Sequence, residues 1–102
     1  MKTVNTDDSQ ITFNLGESLT FNEHRSFRTA IDEALQNSKG LVLKCHDLRY
    51  IDSAGLGMLL LAKHETEKYG KTTELEGVQG QALELMKTVA FDKHFILREP
   101  RG

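Results

Sequence analysis

Residues 40–62 constrain this chain more than any other stretch. LVLKC (41–45) sets three large apolar residues in a row, the pattern of a strand buried on both faces as in a parallel sheet. Leu56, Met58, Leu59, Leu60, Leu61 and Ala62 then form a run too long and too unbranched for another strand, built from strong helix formers. Between the two lies YIDSAGLG, whose glycines allow a helix to pack closely on the strand before it. A buried strand leading into a buried helix is the first half of a crossover unit, so an α/β class is predicted.

The flanking residues extend this pattern. Ile11, Phe13 and Leu15 alternate with Thr12 and Asn14, the period of a half-buried strand. Gly16-Glu17 is short enough to join that strand to Ser18–Phe21, so an N-terminal antiparallel hairpin of 10–15 with 18–21 is expected. Thr20 and Glu23 have capping-box spacing, and Phe27, Ile31, Ala34 and Leu35 then recur at helical intervals until Ser38-Lys39-Gly40. His24, Arg25, Arg28, Asp32 and Glu33 form the wet side of that helix. The apolar helix after Ser53 is predicted to end at Tyr69-Gly70, with Gly70 left-handed and Lys63 and Lys68 toward the negative end of the dipole.

Residues 72–77 read as a weaker strand, Ala82, Leu85, Met86 and Val89 as one face of a third helix, and 95–97 as a last short strand. Together these predict one α/β domain over residues 1–102, with its core at about 10–98 and a mixed sheet carrying an N-terminal antiparallel hairpin and packed helices.

Several functional classes are disfavoured. Thirteen Lys and Arg against 15 Asp and Glu alternate in sign and leave a net charge of −2, with no basic patch for nucleic acid or an anionic membrane. The start MKTVNTDDSQ has no apolar leader, the run Met58–Ala62 is far short of the ~20 residues a membrane span needs, and the single Cys45 has no disulfide partner, so the cytoplasm is expected. Cys45 and His46 point to opposite faces of a strand without further ligands at metal spacing, and a buried structural cysteine is expected. His24, His64 and His94 are scattered, and Gly55-Leu56-Gly57 is neither GxGxxG nor a P-loop. No catalytic residue, cofactor or metal is predicted.

Ser53 supports two readings. At or just before the N-cap of the apolar helix, its oxygen can accept a first-turn N–H. The same electropositive end would also favour a phosphate esterified to Ser53, adding about −1.5 to −2 charge beside Asp52 and changing the sign of the exposed face. Met58–Leu61 cannot all face one sheet, and Met58, near Ser53 and adaptable in packing, is the residue of that run expected to meet a partner.

The stretch DLRYIDSAGLGMLLLAKHE, with LVLKCHDL before it, resembles the signature of STAS domains, the anti-sigma-factor antagonist class: apolar strand, Asp-Leu, Asp-Ser, a small residue, Gly-Leu-Gly, apolar helix. The resemblance implies that Ser53 is phosphorylated by a partner serine kinase that doubles as the anti-sigma factor, and that a protein serine phosphatase, in some cases a response regulator, reverses it. It also implies a partner-binding surface of Thr20, Asn22, Asp52, Ala54, Gly55, Leu56, Gly57 and Met58. Ala54 stands where relatives often carry a second hydroxyl. Relatives commonly carry Gly-Glu-Leu-Asp after the first strand, where Gly16-Glu17-Ser18-Leu19-Thr20 inserts a residue and replaces the aspartate, and many add a C-terminal helix beyond the equivalent of Leu97. The alternative function is a permanent structural subunit, for example one clamping a transporter ATPase, with Ser53 only capping its helix.

Overall fold

The computed structural model describes residues 2–6, 9–37 and 39–98. In chain order the elements are β1 (Lys2–Thr6), β2 (Gln10–Asn14), β3 (Ser18–Leu19), α1 (His24–Gln36), β4 (Gly40–Lys44), β5 (Tyr50–Ile51), α2 (Ser53–Glu67), β6 (Thr73–Glu76), α3 (Gly80–Thr88) and β7 (Ile96–Arg98). Short 3₁₀ turns at Phe21–Glu23 and Phe91–His94 lead into α1 and β7. The main sheet has the order β1-β2-β4-β6-β7, with β1 antiparallel to β2 and the remaining neighbours parallel. The α/β class and mixed sheet are as expected.

Each crossover moves the chain one strand further in the same direction, and a fixed right hand then places every helix on the same face of the sheet. The buried residues follow. Ile11, Phe13, Leu41, Leu43 and Leu75 join Phe27, Ile31 and Ala34 of α1, Leu59 and Ala62 of α2, and Ala82 and Met86 of α3 in one core. The alternate strand residues face away. Val42 is buried there too, so β4 is covered on both sides, but polar neighbours surround it: Gln10 Nε2 donates to Glu74 Oε2 at 2.6 Å, and Arg98 Nη1 lies 3.6 Å from the same oxygen.

The N-terminal hairpin is made by different strands from those predicted. β2 pairs antiparallel with β1, while residues 18–19 pair in parallel with β5 in a separate two-stranded sheet. With β1 on one edge of β2 and β4 on the other, no edge is left for 18–21 to fold back on. The turn instead steps outward: Gly16 is left-handed at φ +75°, its N–H donates to Asn14 Oδ1 at 2.9 Å, and the Glu17 carbonyl accepts from the N–H groups of Arg49 and Tyr50 at 2.8 and 3.0 Å.

The end of α2 matches the sequence pattern. Gly70 is left-handed, its N–H bonds the Glu67 carbonyl and the Lys71 N–H bonds that of Thr66, both at 3.0 Å, which together form a Schellman stop. β6 reads weakly in sequence because one of its inward residues is Thr73, whose hydroxyl meets the Thr66 hydroxyl at 2.9 Å inside the core. Cys45 is fully buried, and desolvation pushes its thiol up to about 12, so it is inert as a nucleophile at neutral pH. No helix among the described residues is long and apolar enough to cross a membrane.

Candidate functional site

The small β3–β5 ladder places a loop beside the head of α2. Leu19 pairs with Ile51, so residues 20–22 and 52–53 leave the ladder side by side. Asp52, in extended backbone, is the N-cap of α2. One carboxylate oxygen, Oδ1, accepts the Gly55 N–H at 2.8 Å, while Oδ2 accepts the Phe21 N–H across the gap at 3.3 Å. A single carboxylate therefore starts the helix and ties down the neighbouring loop.

Ser53 is the first residue of the helix rather than its cap, because Asp52 already fills that role. Its side chain is exposed and its hydroxyl makes no hydrogen bond to the described residues. It stands at the positive end of a 15-residue helix dipole.

Gly55 and Gly57 differ sharply in their surroundings. A Cβ on Gly55 would run into the Leu19 carbonyl oxygen and reach Ile51 Cγ1 at 2.8 Å, whereas one on Gly57 meets nothing within 4 Å. Gly55 is thus what lets α2 sit directly on the ladder.

The family model described as "Mlab, STAS domain" matches residues 3–99. The chain belongs to the STAS domain family. No curated protein sequence matches significantly. Among solved structures, TM1081 of Thermotoga maritima, a candidate anti-sigma factor antagonist, superposes with a TM-score of 0.83 at 18% identity, covering 95% of this chain and 84% of that one. The anti-sigma factor antagonist SpoIIAA in its unphosphorylated form gives 0.78 at 18% identity, covering 98% and 88%, and the phosphorylated form of this Bacillus protein gives 0.76 at 16%, covering 98% and 90%. The murine anion transporter Slc26a9 gives 0.75 at 15%, covering 91% of this chain and 16% of the transporter. At these identities the likeness is one of fold.

Within this STAS domain the structure brings Thr20, Asn22, Asp52, Ser53 and Gly55 together around the α2 head. Thr20 anchors the predicted capping box: the Thr20 N–H donates to Glu23 Oε1 at 2.8 Å, and the Asn22 N–H donates to Thr20 Oγ1 at 3.4 Å. Gly57 is exposed and Ala54 half-buried. Leu56 and Met58 are half-buried and pack against the core, and the residues of the apolar run that leave it are Leu60 and Leu61, 43% and 36% exposed. That Met58–Leu61 cannot all face the sheet is met by Leu60 and Leu61, whereas Met58, the residue expected to meet a partner, is half-buried against the core.

Two exposed aromatics beside the STAS site belong to no motif in the sequence. Phe21, 65% exposed, stacks on His24 with ring centroids 4.7 Å apart, and Tyr50, 62% exposed, precedes Asp52 on β5. Phe21 falls outside the helical period beginning at Phe27, and Tyr50 alternates with the half-buried Ile51; those two departures from pattern were the available clues.

The two acids of the site support different tests. Replacing Asp52 with alanine removes both N–H contacts and is expected to cost about 1–2 kcal/mol, while Ser53→Ala stays within about 0.5 kcal/mol. Urea denaturation of the two variants reads the contrast. Glu23 is held below its ordinary value near 4.5, first by the Thr20 N–H and further by the Ser18 and Thr20 hydroxyls, against opposing desolvation and the Asp52 charge. A depressed folded-state pKa means a contribution present above the unfolded value and lost as pH falls through the folded one. The stability gap between the parent chain and Glu23→Gln is therefore expected to be full at pH 7 and to shrink below pH about 4.5, as followed by urea denaturation at several pH values.

Proposed function

We propose that this STAS domain is an anti-sigma factor antagonist: unmodified, it docks through the α2 head onto a serine kinase that doubles as the anti-sigma factor, and phosphate on Ser53 ends that contact until a serine phosphatase removes it. The chain acts as a binding module in the cytoplasm and performs no catalysis itself. The observation that carries this reading is the Ser53 hydroxyl, which is exposed, makes no hydrogen bond to the described residues and is not needed to cap its helix. A kinase can reach it without unfolding anything.

The test pairs modification with stability. With the kinase purified from the source cells and ATP, the parent chain is expected to take up phosphate and Ser53→Ala none, although both melt alike. Phosphate uptake by Ser53→Ala, or none by the parent, would refute the reading.

A second reading is a permanent STAS subunit of a transporter assembly. It is supported by the anion transporter Slc26a9 among the similar solved folds and by the exposed Leu60 and Leu61, which offer an apolar contact requiring no switch. Under it, Leu60→Glu abolishes co-purification with the assembly while Ser53→Asp has no effect.

A further inference from the structure

A groove runs between the strand that leads to Ser53 and helix α3. Buried Ala82 and half-buried Ile51 and Leu85 form its floor, exposed Tyr50 and Gln81 its rims, and Arg49 and Asp52 flank β5 at its two ends. A second cleft on the Arg49 side shares Arg49, Tyr50 and Gln81 with it.

The charges along the groove are uneven. Arg49 is exposed and has no ion pair among the described residues, although Asp47 lines the adjoining cleft. Asp52 has its two oxygens aimed at the Gly55 and Phe21 N–H groups. The groove thus offers an apolar floor, an exposed aromatic side chain, a free guanidinium at one end and a carboxylate at the other. Arginine and tyrosine beside an apolar pocket are the residue types that dominate protein–protein affinity, and a guanidinium without an internal carboxylate is suited to a carboxylate from outside.

We propose that this groove binds an extended protein segment in which apolar side chains alternate with acidic ones, the apolar groups lying on Ile51, Ala82 and Leu85 and a carboxylate pairing with Arg49. The Asp52 end repels acid, which fixes the acidic side chain at the Arg49 end. The binding itself does not depend on the switch. Its regulation rests on the reading of Ser53 above: a phosphate next to Asp52 adds negative charge at that end and drives an acidic segment out.

The probe is the peptide acetyl-LELEL-amide, titrated to millimolar concentration into the ¹⁵N-labelled full chain, with acetyl-LKLKL-amide as control. Saturable shifts are expected at the Arg49 side-chain Nε and at the amides of Tyr50, Gln81 and Leu85 with the acidic peptide and not with the basic one. Arg49→Ala is expected to weaken binding about tenfold, with Arg49→Lys retaining most of it. Shifts confined to another surface, equal response to both peptides, unchanged affinity in Arg49→Ala or no response at all would each overturn the groove. Inorganic phosphate reproducing the Arg49 shifts without those at Leu85 would show a bare anion site and overturn it too. If the acidic peptide binds as expected but Ser53→Asp binds it equally well, the groove stands and its regulation by Ser53 fails.

Discussion

Gly55→Ala is expected to lower the stability of the domain by about 3 kcal/mol or more, the upper range for forcing one methyl into a packed site. The new methyl runs into the backbone oxygen of Leu19, which no side-chain rotation can move, and also reaches Ile51 Cγ1 at 2.8 Å. Relief requires α2 to lift off the β3–β5 ladder. That lift would also lengthen the bond from the Phe21 N–H to Asp52, already 3.3 Å, and expose Leu19, which is fully buried. Gly57→Ala is expected to do the opposite. Its methyl meets nothing, so removing a glycine from a helix interior gains about 0.5–1 kcal/mol. Urea denaturation of both variants gives the sign of each effect, and a tolerated Gly55→Ala would show that α2 does not sit on the ladder as described.

Ser53→Asp, or phosphate on Ser53, is expected to weaken docking to the proposed serine kinase partner by tenfold or more, equivalent to about 1.4 kcal/mol. Ser53 is the first residue of α2, so the helix dipole favours an added anion by about 0.3–1 kcal/mol and the fold tolerates it. The partner does not, because the phosphate places about −1.5 to −2 charge beside Asp52, and closing an interface over both anions strips them of water. The effect therefore falls on binding and not on folding. Calorimetric titration of the parent chain, Ser53→Ala and Ser53→Asp against the kinase separates the two, with Ser53→Ala expected to bind like the parent. Equal affinities for all three, or an aspartate variant that binds poorly only because it is unfolded, would count against the switch.

Much of this architecture is legible in the sequence, for identifiable reasons. β4 and α2 could be read because each is governed by its own apolar run, and the capping box and the Gly70 stop because each is written in local residues. The partner of β2 was not legible. Strand pairing is decided by which edges remain open after the sheet assembles, and the short turn at Gly16-Glu17 fits a hairpin and an outward step equally well.

The site was legible in part. Asp52, Ser53 and Gly55 stood out through their spacing, but the cap belongs to Asp52 because a carboxylate can accept from Gly55 and Phe21 at once, a bond spanning 31 residues that no local pattern announces. Phe21 and Tyr50 gain their place only when the β3–β5 ladder brings their loops to the α2 head. Exposure divided the run 58–61 differently from expectation because Met58 sits one turn before Ala62, on the flank of the helix that turns toward the core.

The central claim is that a free hydroxyl on the first turn of α2 carries the regulatory charge. Fragmentation mass spectrometry of the chain recovered intact from its native cells, with and without phosphatase treatment, measures this directly. One phosphate on Ser53 that the phosphatase removes is the expected result; phosphate confined to another residue, or a chain unmodified even after incubation with its kinase and ATP, would contradict it.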